Sequence, residues 1–208
     1  MGRSRAGRSA YHHGNLRAAL VTAATGLLAD GPLGVTLRGA ARRAGVSQAA
    51  PYRHFSDKSA LLAAVAEDGF HRLRRAIVRA ARPHRRNPVA ALRAMAMAVV
   101  RFAAANPSHY RLMCGPAVRG RDHPALRDAA VAAWQLLSQA IADCQRAGRI
   151  RAGEPVELAF ALWCTVHGLA VLAVDEQIPA DVLRTVPLDE LAEHATRCLL
   201  EGLAPRPS

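Results

Sequence analysis

Residues 36–55, TLRGAARRAGVSQAAPYRHF, admit few backbone arrangements. Thr36 is a good N-cap for a short helix over 37–44. Gly45 ends that helix, because glycine takes a positive φ without steric cost. Ser47 is then placed to cap a second short helix over about 48–54. Two short helices at a steep angle need a small residue where they touch, a turn residue tolerant of positive φ, and an apolar side chain on the second helix. Ala41, Gly45 and Pro51 meet those needs, and Leu37 and Val46 complete a local core. Pro51 lacks a backbone donor and pushes the residue before it away from helical geometry. A distorted, 3₁₀-like first turn over Gln48–Pro51 is therefore expected. Phe55 belongs to the core.

The rest of the chain carries helical periodicity and no hairpin signal. Leu16, Ala19, Leu20, Ala23, Ala24, Leu27 and Leu28 form one apolar stripe over 15–30, with Asn15 as a cap and Gly31-Pro32 as the stop. Ser56 or Asp57 opens a long helix to about residue 81, striped by Leu62, Val65, Ala66, Phe70, Leu73 and Ile77. RPHRRNP, residues 82–88, reads as a basic linker. Helices follow over 88–105, 107–114, 123–147, 154–174 and 188–203, the first opened by Pro88. The fold class is all-α: a three-helix helix-turn-helix head over 13–73 and a helical body over 74–208, nine helices in all. The long helix serves both parts.

Charge divides the chain the same way. Residues 1–86 hold 16 of the 28 Lys+Arg and only 4 of the 16 Asp+Glu, whereas the remaining 12 of each sign balance over 87–208. The whole net charge of +12 thus sits in the N-terminal 40% of the chain, which points to a polyanion: nucleic acid or an anionic membrane. The N-terminal MGRSRAGRSAYHHGN has no apolar core of a signal peptide, and Ala6 stands where myristoylation wants Ser or Thr. It reads as a flexible basic arm. LAFALWCTVHGLAVLAV, residues 158–174, approaches membrane-spanning length. Thr165, His167 and Gly168 interrupt it, and acidic residues flank both ends, so a helix buried in a core or a subunit interface is expected. Cys114, Cys144, Cys164 and Cys198 lack metal spacing and read as reduced, buried thiols. No GxGxxG, P-loop, GxSxG or HExxH occurs, so neither catalytic residues nor a cofactor or metal site is expected.

TLRGAARRAGVSQAAPYRHFSDKSALL, residues 36–62, closely resembles the DNA-binding segment of the TetR family of transcriptional regulators. Ala41, Ala44-Gly45-Val46-Ser47, Tyr52, Phe55, Lys58 and Leu61-Leu62 carry the likeness, which is strong over 13–65. WCTVHGLAVL, residues 163–172, and NPSHYRLMCG, residues 106–115, are similar to a family class whose C-terminal domain has a Trp-x-x-x-His-Gly signature. The resemblance implies a homodimer that binds a palindromic double-stranded DNA operator and a small-molecule effector.

It also implies residue roles. Gln48 reads a base edge in the major groove, where an amide can pair with adenine, and Arg38 reaches a guanine. Ser47 and Ala50 lie on the same surface, and the Ala50 methyl can pack on thymine. Thr36, Tyr52, His54 and Lys58 contact phosphates; Arg53 contacts either a base or a phosphate. Arg3, Arg5 and Arg8 lie along the backbone or in the minor groove. Ala49, Ala50 and Pro51 depart from the commoner family pattern, which leaves few direct base readers and gives DNA shape a larger share.

In the body, Phe102, Tyr110, Met113, Trp134, Trp163 and His167 are candidates for an effector pocket or, alternatively, for plain core packing. His167 is either a ligand contact or an interface histidine. His167, Gly168, Val171, Leu191, Ala195, Cys198 and Leu199 are candidates for an isologous dimer seam. The expected function is a cytoplasmic repressor released from DNA by its effector, without membrane contact. The alternatives are an architectural DNA-binding protein and an all-α enzyme.

Overall fold

A computed structural model describes residues 13–118 and 123–205, so the arginines of the N-terminal arm lie outside the described residues. The ten α-helices of the described residues are α1 His13–Thr25, α2 Gly31–Gly34, α3 Leu37–Arg43, α4 Lys58–Ala81, α5 Pro88–Ala105, α6 Pro107–Cys114, α7 Pro124–Arg146, α8 Pro155–Val174, α9 Ala180–Thr185 and α10 Leu188–Gly202. No strand occurs among them.

Local chemistry sets most of the ends. The side chains of Thr36, Asp57 and Asn87 accept from the backbone N–H of Gly39, Ala60 and Ala90 at 2.9, 2.8 and 3.1 Å, which caps α3, α4 and α5. A proline stands in the first turn of α5, α6, α7 and α8, where its missing N–H has no helical partner anyway. Three expectations need correction. The first helix ends at Thr25, followed by a 3₁₀ turn at Leu28–Asp30, and Gly31-Pro32 opens α2 instead of stopping a helix. Asn15 lies inside α1, which begins at His13, so it is not the cap. Nine helices become ten: the expected helix over 48–54 is not an α-helix, while α2 and α9 were missed because they are too short to carry an apolar stripe.

The head packs α1 across α3 and against the first half of α4, and the interior side chains are Leu20, Ala24, Leu28, Val35, Ala40, Phe55 and Leu61. The body packs α5 and α7 along α4, then α8 on α5 and α7, then α10 on α5 and α8. Head and body share one core, since Val65, Leu73 and Ile77 continue into Met95, Phe102 and Leu112. A second core joins Leu92, Ile141, Leu158, Leu162, Ala192 and Leu200. Arg93 pairs with Glu193, and Arg101 with Asp189 at 3.0 Å, so exposed ion pairs also tie α5 to α10.

At the crossing of α4 and α6, a Cβ on Gly69 would lie 2.5 Å from the Met113 sulfur and 2.8 Å from His109 Nε2, so only glycine allows this approach. His109 is buried; its Nε2 lies 2.6 Å from the Val65 carbonyl and its Nδ1 3.4 Å from Arg72 Nη1. The neutral tautomer with the proton on Nε2 suits both partners. Burial first, and the Arg72 charge in addition, hold His109 below the usual histidine range, and burial does the same to His167. The unfolded chain therefore takes up protons between pH 6.5 and the lower folded values, and stability falls as pH drops through that window. Urea midpoints at pH 7.5 and 5.5 should decrease in that order, and His109→Gln should shrink the difference. An unchanged difference would remove His109 from the account.

The helix α8 ends in the same backbone pattern that glycines close elsewhere. Gln177 N–H reaches the Leu172 carbonyl at 2.8 Å and Glu176 N–H the Ala173 carbonyl at 3.3 Å, with Glu176 at φ 54°. A side chain there is strained by roughly 1 kcal/mol. Glu176→Gly should raise the thermal midpoint by a few degrees in a melting experiment.

Candidate functional site

The turn after α3 is fully bonded. Val46 N–H reaches the Ala41 carbonyl at 3.0 Å, Gly45 N–H reaches that of Arg42 at 3.2 Å, and Gly45 sits at φ 70°. This 6→1 and 5→2 pair requires the left-handed residue at the position of Gly45. Ala40 and Ala41 are fully buried, so the following segment packs directly on α3.

That segment is not an α-helix. Gln48 and Ala49 form a turn, and Ala50–Arg53 is a 3₁₀ helix with Ala49 as its N-cap. The expected distortion at Gln48–Pro51 thus extends over the whole element. No side-chain bond caps it, so Ser47 is not the cap the sequence suggested; its carbonyl instead accepts from Ala50 N–H at 3.0 Å. Pro51 is fully buried, and its carbonyl takes both His54 N–H and Phe55 N–H at 2.9 Å. A proline in the first turn gives up no helical bond, and its ring is buried where the segment packs on α3.

With Pro51 and Phe55 turned inward, the opposite side of the segment faces out. Ser47, Gln48, Tyr52 and Arg53 are exposed, Tyr52 at 53%, while Ala50 and His54 are half-buried. Tyr52 is therefore not a core residue. Arg38 and Thr36 are exposed at the start of α3, on the neighbouring element. Thr36 uses a hydroxyl lone pair for its cap and keeps the O–H as a donor. Lys58 Nζ donates to the Leu33 carbonyl at 2.9 Å, which ties the start of α4 to α2 and leaves further ammonium protons for another acceptor. Arg17 stands 5.7 Å over the Phe55 ring and 3.3 Å from Glu67, bracing α1 against α4.

In the body, a cleft of about 750 Å³, including its solvent-open mouth, lies between α4, α5, α6, α7 and α8. Its walls are Phe70, Leu73, Ile77, Met95, Val99, Leu137, Leu162 and Val166, and its aromatic side is Tyr110, Trp134 and Trp163. Of the expected pocket residues, Tyr110, Met113, Trp134 and Trp163 line it. Phe102 does not; it is buried in the core. His167 stands just behind the lining. Its ring stacks on Trp163 with centroids 4.7 Å apart and planes 7° off parallel, and its Nδ1 lies 2.8 Å from the Tyr110 hydroxyl. Burial drives the Tyr110 phenol far above its ordinary value, so it stays neutral and shares a hydrogen bond with His167 Nδ1. Trp134 meets Trp163 edge-on at 6.4 Å. The walls contributed by α4, Phe70, Leu73 and Ile77, belong to the apolar stripe of that helix. Periodicity marks an inward face without telling whether that face meets atoms or space.

The outer arc of α8 remains uncovered. Val156, Phe160, Trp163, Cys164 and Leu172 are exposed, and His167, Gly168 and Val171 are half-buried. Among the described residues, no atom beyond its own helix backbone and chain neighbours comes within 4 Å of a Cβ built on Gly168. On α10, Leu191, Ala195 and Leu199 are half-buried and Cys198 is exposed. The expectation of buried thiols needs correction, because Cys164 and Cys198 lie on these outer arcs. Cys144 is buried, and burial lifts its thiol to about 11. The helices Pro88–Ala105 and Pro155–Val174 are long and apolar enough to cross a membrane; both pack on other helices, with 44% and 28% of their apolar windows buried.

Two family models match the chain: bacterial regulatory proteins of the tetR family over residues 20–65, and a tetracyclin repressor-like C-terminal domain over residues 92–199. No curated protein matches. Among solved structures, a protein of unknown function from Rhodococcus sp. RHA1 is 37% identical over 95% of this chain and 100% of its own, with a TM-score of 0.82. A tetR-family regulatory protein from Rhodococcus RHA1 is 20% identical over 92% of this chain and 98% of its own, with a TM-score of 0.67. A fatty acid degradation regulator from Bacillus halodurans is 15% identical over 91% of this chain and 97% of its own, with a TM-score of 0.72.

Proposed function

The chain belongs to the tetR family of bacterial regulatory proteins, and from that premise we propose that it is a cytoplasmic homodimeric repressor released from a palindromic operator by a small apolar effector. One observation carries the reading. The helix α4 starts beside the exposed Gln48–Arg53 surface and, further along, supplies Phe70, Leu73 and Ile77 to the cavity wall. A ligand seated in that cavity presses on the element that holds the head.

In this reading residues 13–73 act as the DNA-binding head and 74–208 as the effector and dimerisation body. Gln48 and Arg38 read base edges. Ser47 and Ala50 pack against them, Arg53 reaches a base or a phosphate, and Thr36, Tyr52, His54 and Lys58 hold the backbone. The body has the Trp-x-x-x-His-Gly character of its Trp163, His167 and Gly168. Tyr110, Met113, Trp134 and Trp163 meet the effector, His167 orients the Tyr110 hydroxyl, and Phe102 supports the wall from the core. The uncovered arc of α8 and the Leu191, Ala195, Cys198 and Leu199 face of α10 form the seam with a second copy, not a membrane-facing surface. The twofold axis sets the two heads about 34–36 Å apart, or a multiple of that, on successive major grooves.

DNA and effector favour different separations of the heads, so each weakens the other by the same factor. Selection from random duplexes with the purified protein should return a palindrome whose affinity falls steeply with salt. No enriched sequence would sink the reading. An effector found by operator release that left the tryptophan fluorescence unchanged would move its site out of the cavity.

A further inference from the structure

Ile77 and Met95 line the aromatic cavity and also a second, open cleft on its other side. The floor of this cleft is apolar, formed by Val78, Ala81, Leu136 and Ala140. Its rim carries Arg82, Arg85 and Arg146 with a single acid, Asp143. That acid is already occupied, because Arg146 and Gln139 both bond its Oδ1. Among the described residues neither Arg82 nor Arg85 has an ion-pair partner, and both are exposed. Pro88 and Ala91 from the first turn of α5 also line the cleft, so the positive end of an 18-residue helix adds to the field there.

DNA does not account for this charge. The arginines follow the C-terminal end of α4, a 24-residue helix about 36 Å long whose other end adjoins the base-reading segment.

We infer that the effector is a single-chain amphiphile whose apolar body occupies the aromatic cavity and whose anionic head, a carboxylate or a phosphate, is held by Arg82 and Arg85. The inference rests on the reading of that cavity as the effector site and names what enters it. Guanidinium forks suit both head groups, and an alkyl chain asks only for apolar walls; Ile77 and Met95, which stand buried between the two spaces, turn aside to let it pass.

The chain has two tryptophans, and both line the cavity, so their fluorescence reports on this site. Purified protein is titrated with dodecanoate, dodecyl phosphate and 1-dodecanol, each below its aggregation limit. At least one anionic probe should bind about ten-fold or more tightly than the alcohol. Arg82→Ala with Arg85→Ala should erase that preference and leave the alcohol unchanged, and the preferred anion tells carboxylate from phosphate. Equal binding of all three, binding of none, or a preference that survives the double variant overturns the inference. So does a loss of affinity for random duplex DNA in that variant. An operator complex measured alongside separates the two readings. Alcohol that binds and releases operator without any head preference leaves the effector site standing and removes the anionic head. Arginine-dependent binding without operator release keeps this site and removes the regulatory reading.

Discussion

Cys164→Glu combined with Ala195→Glu should leave the chain folded but monomeric, and should lower operator affinity by roughly 10²–10⁴-fold. The first residue is exposed in the middle of the uncovered arc of α8, and the second is half-buried on the adjoining face of α10. Neither belongs to a core cluster, so the fold loses little. In a twofold assembly both substitutions appear twice, bringing four carboxylates into an apolar seam, and like charges taken out of water without partners are strongly unfavourable. The loss on DNA follows from connectivity. A dimer places its second head at an effective concentration in the millimolar range, which a monomer forgoes. Sedimentation should report half the mass and circular dichroism an unchanged helix content. A variant that remains dimeric would relocate the seam.

Gln48→Ala together with Arg38→Ala should cost roughly 2–6 kcal/mol per head on the selected operator, taking about 1–3 kcal/mol for each lost base pairing. The cost on unrelated duplexes should be far smaller, since the phosphate contacts survive. Tyr52→Phe and Lys58→Ala are the contrast: they should weaken all sequences alike, and the lysine change should reduce the slope of log affinity against log salt by about one. The geometry supports this division. Gln48 is exposed in the turn that leads into the 3₁₀ segment and Arg38 is exposed at the start of α3, whereas Lys58 is already anchored to the Leu33 carbonyl. Equal losses on operator and random duplex after the Gln48 and Arg38 changes would remove base reading from these two residues.

Much of this architecture was legible because punctuation in the sequence is chemical. The bounds expected for α5 and α6 agree with the structure, since Pro88 and Pro107 can only open a helix and Asn87 caps the first of them. The Thr36, Ala41, Gly45 and Pro51 framework was readable for the same reason. Each position there has a steric or conformational demand that few residue types meet. The backbone class of residues 48–54 was not readable in full. Local propensity cannot weigh a buried proline against a cap, and here the tertiary slot for Pro51 prevails over the Ser47 cap. The cavity was half visible: its aromatic members stand out by type, but Leu73 and Ile77 look the same in a sequence whether they meet a neighbour or a void. Cys164 and Cys198 fit apolar patterns and still face outward, because helical periodicity marks an apolar arc without telling whether the fold covers it.

The unbroken run of α4 from Lys58 to Ala81 sets a mechanical scale. A rod about 36 Å long that tilts by about 5° at one end moves the other by about 3 Å. Successive base pairs along one strand are about 3.4 Å apart. A rotation too small to disturb the packing of the body is therefore enough to carry a recognition surface out of register by nearly one base pair. The sensitivity of the proposed switch is set by the stiffness and length of a single rod.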